Sequence, residues 1–201
     1  MSRYDVPNSE SEGGVLTNKL GVTDVIVIGK EEAKGFAQAE TILIEELTER
    51  TVFDTSYICR IHKLALEHVY AFAGGLRTVN MSKGGFLFPA AHILTQTFES
   101  FHQEMLSPLP HVYENRAQLV TDIGTIHSEL LYIHPFREGN GRTARILANM
   151  MAYKAGYDTL RFNPVMESGE KRKEYINGVQ QALNVNYKPM IQLMEEFLPS
   201  K

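Results

Sequence analysis

The chain has 201 residues, of which 43 % are hydrophobic and 22 % charged, with a formal net charge of −4; these values predict one globular domain with a single core. The negative charge disfavours binding of nucleic acid through phosphate neutralisation, and the single cysteine, Cys59, excludes a disulfide framework or a thiolate metal cluster. Because no apolar run is long enough for a membrane span and the first residues do not resemble a secretory signal, we expect a cytoplasmic protein without a membrane partner.

The first 29 residues are predicted to form an N-terminal arm ahead of a folded domain over residues 30–201. Residues 1 to 20 are polar and contain several glycines, which is typical of an extended, loosely ordered segment. Residues 25–28, Val-Ile-Val-Ile, predict a short strand by propensity.

Helical spacing of apolar residues covers most of the remaining chain. It predicts a first helix over 30–49 and a second helix that begins after a capping aspartate, Asp54. Two further helices are expected over 91–105 and 114–131. After the glycine-containing loop the pattern predicts three more helices. The first ends near residue 154, and the others run over 168–183 and 187–197, with a turn at Asn163 and Pro164 before them.

A short segment between the second and third predicted helices is β-prone. Two such stretches within residues 74–89 flank the sequence Ser82-Lys-Gly-Gly85. Paired glycines between β-prone stretches are typical of a tight hairpin turn. The whole chain is therefore predicted to be an all-α domain of about seven helices with one β-hairpin.

Residues 134–145, with the sequence HPFREGNGRTAR, carry the strongest functional signal. Gly139 and Gly141 interrupt regular structure, and an apolar helical pattern resumes after them, so the segment is a loop that opens a helix. Backbone N–H groups at such a helix start can bind an anion. Arg142 and Arg145 can add charge-assisted bonds to phosphate oxygens.

The other side chains of this loop suggest an acid–base and metal role. His134 titrates near neutral pH and can remove a proton from a hydroxyl group beside the anion site. Glu138 would repel phosphates unless a divalent cation lay between them, and Mg²⁺ fits that position. Asn140 is interpreted as a phosphate ligand or a brace of the turn, and Phe136 as an inward anchor.

The same run resembles, at every specified position, the signature of the Fic family, H-x-F-x-(D/E)-G-N-G-R-x-x-R. The wider resemblance covers residues 30–198, and residues 77–89 look like the hairpin flap of that family. It implies a Fic-type helical domain with the activity of a protein adenylyltransferase. Such an enzyme transfers AMP from ATP to a Tyr, Ser or Thr hydroxyl of a target protein and releases pyrophosphate.

The resemblance also implies roles for individual residues. It implies that His134 deprotonates the target hydroxyl, that Glu138 holds Mg²⁺ and that Arg145 holds the γ-phosphate of ATP. It assigns ATP phosphate binding to Phe136, Arg137, Glu138, Gly139, Asn140, Gly141, Arg142 and Arg145. It assigns the target-docking flap to Thr78, Val79, Asn80, Met81, Ser82, Lys83, Gly84, Gly85 and Phe86. Contacts to the nucleotide base are expected outside the motif, near Tyr175.

Regulation is less well specified by the sequence. Many Fic proteins are restrained by a glutamate in an S/T-x-x-x-E-G/N helix, which pairs with the arginine corresponding to Arg145. Residues 41–45, Thr-Ile-Leu-Ile-Glu, have this spacing, but Glu46 stands where the family has a small residue. Two interpretations stay open, a separate antitoxin-like partner, which we favour, or an atypical internal element.

Three other functions stay open. A Doc-type phosphotransferase would use the same loop to transfer the γ-phosphate, although Gly139 and Gly141 fit that branch less well. A catalytically silent nucleotide-binding module would use the flap for partner binding. A hydrolytic metal site of His127, His134 and Glu138 is disfavoured, because His127 is expected to be a core residue. The sequence is also compatible with delivery of the protein into another cell.

Overall fold

The computed structural model describes residues 11–12, 14–167 and 169–201. Within these ranges the chain forms eight α-helices and two short antiparallel hairpins, which confirms the predicted helical class. The helices are α1 (Val25–Glu45), α2 (Thr55–Leu66), α3 (Leu94–Phe101), α4 (Arg116–Ile133), α5 (Asn140–Lys154), α6 (Asn163–Glu167), α7 (Gly169–Gln181) and α8 (Lys188–Phe197). The strands are β1 (Ser11–Glu12), β2 (Val15–Leu16), β3 (Ser82–Lys83) and β4 (Phe86–Leu87). No helix in the described part of the chain is both long and apolar enough to cross a bilayer.

Three helices begin at side chains that cap their first backbone N–H groups. Asp24 caps α1, Asp54 caps α2 as predicted, and Asn115 caps α4. In each case an extended residue with a short side-chain oxygen accepts a hydrogen bond from the first helical turn, which stabilises the helix start by about 1 kcal/mol.

The strand predicted at residues 25–28 is wrong, because these residues form the first turn of α1. Asp24 Oδ1 accepts hydrogen bonds from the N–H groups of Ile26 at 2.7 Å and Val27 at 3.0 Å. This cap outweighs the β preference of the branched side chains. The domain boundary placed at residue 30 therefore falls inside a helix.

The structure differs from the prediction in three other elements. The hairpin β1–β2 lies in the predicted arm, and Val15 of β2 is buried in the core; residues 1–10 and 13 of that arm lie outside the described residues. The turn at Asn163 and Pro164 is instead the short helix α6. The predicted helix over 91–105 is divided into a 3-10 turn (Ala91–Ile93), α3 and a π-helical turn (His102–Leu106).

Helices α4 and α5 form the centre of the molecule. Helix α4 packs against α5, α8, α7 and α3, and α5 also packs against α1 and α2. Both helices bury residues around most of their circumference, which is expected of a helix enclosed by others. The loop between them, residues 134–139, is therefore held by the best-packed part of the protein.

Candidate active site

His134 ends helix α4 in a left-handed backbone conformation, with φ 51° and ψ 59°. Its ring Nδ1 lies 2.9 Å from the backbone oxygen of Leu131. Because a carbonyl oxygen only accepts, Nδ1 carries the ring proton, and the basic lone pair of the neutral ring is on Nε2. The helix end thus fixes both the position and the tautomer of the predicted base.

The His134 ring is enclosed by the flap. The ring of Phe88 stacks on it with centroids 3.8 Å apart and planes 15° apart. Burial, together with the positive charges of Lys83 and Arg77, lowers the pKa of His134 to about 3. The imidazole is consequently neutral near pH 7, which is the form that can accept a proton.

Two of the predicted phosphate-binding residues have side chains that brace the loop. Phe136 is completely buried, and its ring stacks on His62 with centroids 3.9 Å apart. The side chain of Asn140 accepts from the Phe136 N–H at 2.8 Å and donates to the Phe136 oxygen at 2.7 Å. The buried Phe136 ring is thus the inward anchor that the sequence predicts, and Asn140 acts as the brace that was one of its two predicted roles. The phosphate contacts assigned to both residues stay predictions.

His62 of α2 is a second support of this loop. Its Nε2 donates to the backbone oxygen of Glu138 at 2.9 Å, and its Nδ1 accepts from the N–H of Gly74 at 2.8 Å. Burial lowers its pKa to about 4, so the ring stays neutral and keeps this one tautomer. Sequence reasoning missed His62, because its partners lie 12 and 76 residues away.

The loop opens helix α5 with backbone N–H groups that no described side chain caps. Gly139, the N-cap of α5, has φ 79°, and among the described residues no side chain caps this helix start. The N–H groups of the first turn, from Asn140 to Arg142, therefore point toward the space in front of the helix. Arg142 and Arg145 are half-buried beside them, and Arg137 is half-buried in the loop. The predicted anion site is thus brought together.

Arg142 is held by two carboxylates. Its Nη2 lies 2.8 Å from Glu32 Oε2 and 3.4 Å from Glu138 Oε1, and its guanidinium lies over the Phe36 ring. Glu32 of α1 is buried and also accepts from the Tyr70 hydroxyl at 2.6 Å. Glu32 was not predicted, since it lies 110 residues from Arg142.

Glu138 is the carboxylate of the loop that precedes α5. It is buried, and its Oε1 accepts from the N–H of Gly139 at 2.9 Å. No group of three or more His, Cys, Asp or Glu side chains in the described part of the chain could hold a metal ion by itself. A cation here would need oxygens from a ligand in addition to Glu138, which is how Mg²⁺ is held beside phosphates.

Burial raises the pKa of the Tyr175 hydroxyl to about 12, and the positive charge of Arg145 opposes this rise. That hydroxyl donates to His127 Nε2 at 2.5 Å, and His127 Nδ1 lies 3.2 Å from the oxygen of Ala144. His127 is buried in the core, as predicted, and both of its ring nitrogens are engaged. Tyr175 is also buried, and base contacts in the region around it stay a prediction.

The predicted flap is a hairpin above the loop. Strands β3 and β4 pair in register, Ser82 with Leu87 and Lys83 with Phe86, and Gly84 and Gly85 form the turn with φ 55° and 81°. Two positive φ values in a two-residue loop match the right-handed twist of the strands. The predicted hairpin is thus confirmed. Among the described residues its sheet has two strands, so each strand has an outer edge with backbone groups to which a further strand could bind.

The flap residues differ in exposure. Met81 is buried at 2 % exposure, and Val79, Ser82 and Phe86 are half-buried. The exposed members are Thr78, Asn80, Lys83, Gly84 and Gly85. Glu45, the glutamate with the spacing of an internal inhibitor, is exposed at the end of α1.

Comparison with known proteins agrees with this geometry. The model of the Fic/DOC family matches residues 52–152. The protein adenylyltransferase Fic of Nematostella vectensis is 28 % identical over 185 residues, which are 90 % of this chain and 40 % of that protein. The protein adenylyltransferase VbhT of Bartonella schoenbuchensis is 32 % identical over 164 residues, 78 % of this chain and 33 % of VbhT. This chain thus spans two-fifths or less of these relatives.

Solved structures share the fold. The N-terminal FIC domain of Bep8, a VirB-translocated effector of Bartonella sp. 1-1C, superposes with a TM-score of 0.76 at 21 % identity, covering 99 % of this chain and 96 % of that one. The BepC protein of Bartonella tribocorum, with bound AMPPNP, has a TM-score of 0.71 at 18 % identity and covers 96 % of this chain and 95 % of BepC. The family match, the signature loop and the shared fold lead to one conclusion: this chain belongs to the Fic/DOC family.

Proposed function

We propose that this chain is a protein adenylyltransferase, which transfers AMP from ATP to a hydroxyl side chain of a target protein. One observation carries the proposal: the loop between α4 and α5 has a base at one end and an anion-binding helix start at the other. The base is His134, a neutral imidazole with a fixed tautomer, and the helix start is the uncapped first turn of α5. Relatives that match most of this chain are named protein adenylyltransferases.

The start of α5 would bind the triphosphate of ATP. Backbone N–H groups after Gly139 and the partial positive charge of the helix start attract phosphate oxygens. Arg142 and Arg145 add positive charge on the first helical turn, with Arg145 assigned to the γ-phosphate. Positioning and charge neutralisation are the main contributions that a protein makes to phosphoryl and nucleotidyl transfer.

The residues present fit a magnesium ion that arrives with the nucleotide. Glu138 supplies one buried carboxylate beside the anion site, and hard oxygen donors of this kind, together with phosphate oxygens, are the usual ligands of Mg²⁺. When bound, the ion would neutralise phosphate charge. Arg142, whose Nη2 pairs with both Glu32 and Glu138, would limit the repulsion between Glu138 and the phosphates before the ion binds.

His134 would act as the general base. Its Nε2 takes the proton of the target hydroxyl while the hydroxyl oxygen forms a bond to the α-phosphorus. The bond from that phosphorus to the bridging oxygen breaks, and pyrophosphate leaves. The enclosing Phe88 ring and the Nδ1 bond to Leu131 keep the ring in the orientation that this transfer needs.

The flap would position the target. A strand of the target adds to an edge of β3 or β4, so main-chain hydrogen bonds fix its register without a requirement for one target sequence. This mode agrees with the open strand edges among the described flap residues. Glu45, the glutamate with the spacing of an internal inhibitor, is exposed at the end of α1, so we favour inhibition by a separate antitoxin-like partner. A cytoplasmic location is also part of the proposal.

The proposal is tested with two labelled forms of ATP. Cell lysate, Mg²⁺ and the purified protein are incubated with ATP labelled on the α-phosphate or on the γ-phosphate, for the wild type and the His134→Ala variant. We expect α-label on a protein band only with the wild type, and γ-label that does not differ between the wild type and the variant. The variant His111→Ala, which changes an exposed histidine, is the matched control and should label as the wild type does.

Two other results would contradict the proposal. Label from the γ-phosphate on a band that is present with the wild type and absent with His134→Ala would identify a Doc-type phosphotransferase. ATP binding without transfer of either label, unchanged in His134→Ala, would identify a nucleotide-binding interaction module.

A further inference from the structure

Arg77 is a buried cation at the point where the flap meets helix α4. It is 4 % exposed, and within the part of the chain that the structure describes its side chain donates to four backbone oxygens. Such a cation needs compensation for its lost hydration. Two of its acceptors, the oxygens of Ile133 and His134, lie at the C-terminus of α4, where the helix dipole favours a positive charge.

The guanidinium fork of Arg77 connects three parts of the site. Its Nε donates to the oxygen of His134 at 2.7 Å. Its Nη1 donates to Val79 in the first leg of the flap at 2.8 Å, and its Nη2 donates to Pro89 in the second leg at 2.6 Å. Each of these three bonds is donated by a different nitrogen of the guanidinium group. Because that group is rigid and planar, it sets the distance between the two flap legs and the base.

Backbone and ring contacts strengthen the same connection. The Arg77 N–H donates to the oxygen of Pro135, the residue that follows the base. The ring of Phe88, next to Pro89, stacks on the His134 imidazole, and the Phe88 N–H donates to Met81 across the hairpin at 3.2 Å. A displacement of the flap would therefore move the surface against which the imidazole rests.

We propose that Arg77 is a positioning residue that fixes both legs of the flap to the backbone of His134, so that a target segment docked on the flap meets the base in one register. The docking half of this statement rests on the proposed function, whereas the fixed geometry of flap and base does not. Arg77 touches no reacting atom in this role. Its effect on the reaction passes through His134 and the flap.

The matched comparison is between Arg77→Lys and Arg116→Lys. Arg116, at the start of α4, donates to the oxygens of Glu195, Leu198 and Pro199 at the end of α8, so it also binds a helix C-terminus with its fork. Lysine keeps the charge at either position but has one ammonium group, which cannot reach acceptors on several sides. Only the first change lies at the proposed connection.

Two measurements do not depend on catalysis. Amide hydrogen exchange of residues 79–88 reports how firmly the flap is held, and the NMR signal of the His134 ring reports its environment. For Arg77→Lys we expect exchange at least tenfold faster in the flap and a displaced His134 signal. For Arg116→Lys we expect neither change. An unchanged flap and ring signal in Arg77→Lys would overturn the proposal.

Two further measurements test the consequence for transfer. Calorimetric titration with ATP reports the nucleotide site, and α-label on the His134-dependent lysate band reports the reaction. We expect transfer by Arg77→Lys to fall about 100-fold, as for a misplacement of about 1 Å, with ATP affinity within threefold of the wild type. A parallel loss of ATP affinity would show that Arg77 only maintains the fold and would overturn the proposal.

If the wild type labels no protein, the proposed function fails, while the exchange and NMR measurements still decide whether Arg77 connects flap and base. If Arg77→Lys does not fold, Phe88→Leu removes the stack without changing a buried charge. It should accelerate flap exchange while it leaves ATP affinity intact, and unchanged flap exchange would overturn the proposal.

Discussion

Alanine at Gly139 should destabilise the fold, whereas alanine two residues later, at Gly141, should not. Gly139 has φ 79°, a conformation that costs an L-residue roughly 1–2 kcal/mol. A Cβ there would lie 3.0 Å from Leu66 Cδ1 and 3.0 Å from Phe36 Cζ. Both neighbours are buried, so they can move little, and such overpacking costs about 1–3 kcal/mol.

The two terms together predict that Gly139→Ala lowers the free energy of unfolding by about 2–5 kcal/mol. At Gly141 a Cβ would meet only Arg145 Nη1, at the ordinary contact distance of 3.6 Å. Alanine is also the better helix former, so Gly141→Ala should change stability by between zero and about 1 kcal/mol in the stabilising direction. Because the added methyl group lies where phosphate approaches the backbone, ATP affinity should fall by about tenfold.

Urea unfolding followed by circular dichroism measures the first quantity, and calorimetric titration with ATP measures the second. Equal losses of stability in the two variants would refute the assigned roles of these glycines. A Gly141→Ala protein that binds ATP as the wild type does would refute the backbone approach of the phosphates at this position.

Three other predictions address the charges and titrating groups of the site. Glu32→Gln replaces the buried partner of Arg142, which keeps Glu138, and should cost about 1.5–3 kcal/mol in urea unfolding, the usual value of a hydrogen bond to a charged group. Glu46→Gln, at an exposed pair, should cost less than about 1 kcal/mol; similar losses would contradict the first assignment. Arg145→Ala should weaken calorimetric binding of ATP at least about tenfold more than binding of ADP, and equal losses would argue against the γ-phosphate contact. Burial lowers the pKa of three histidines to about 4, 3 and 3, namely His62, His127 and His134. The unfolded chain therefore binds more protons below about pH 6.5, and the free energy of unfolding should fall from there toward pH 4, by at most about 1.4 kcal/mol per pH unit for each histidine; a flat profile would contradict this.

The parts of the site that are contiguous in sequence were predictable. Pro and Gly residues within twelve positions had to form a loop, and the apolar run that follows Gly141 had to form α5. The paired Gly84 and Gly85 likewise determine the hairpin turn, because few other residues adopt two positive φ values in succession. In both cases local backbone chemistry decides the structure.

Residues 25–28 show where local propensity fails. Four β-branched or apolar side chains favour a strand, yet Asp24 supplies two hydrogen bonds to a helical turn. The side chains of Val25, Ile26 and Val27 are 45–69 % exposed. Because they gain little from burial, packing does not add to their β preference, and the cap decides for the helix. The capping aspartate was the available signal.

The supports of the site could not be predicted from one sequence. Glu32, His62 and Arg77 reach their partners in the motif over 110, 76 and 57 residues. Nothing in the local pattern distinguishes them from ordinary polar residues of a helix or a loop. Their roles follow only from the way α1, α2 and the flap pack around the loop between α4 and α5.

The central claim is that the loop presents the α-phosphorus of ATP to His134. A crystal structure of the protein with Mg²⁺ and a non-hydrolysable ATP analogue tests it most directly. We predict the triphosphate across the start of α5, with the γ-phosphate at Arg145 and His134 Nε2 facing the α-phosphorus on the side opposite the leaving pyrophosphate. A reversed nucleotide with its γ-phosphorus toward His134, or a nucleotide bound away from α5, would contradict the account.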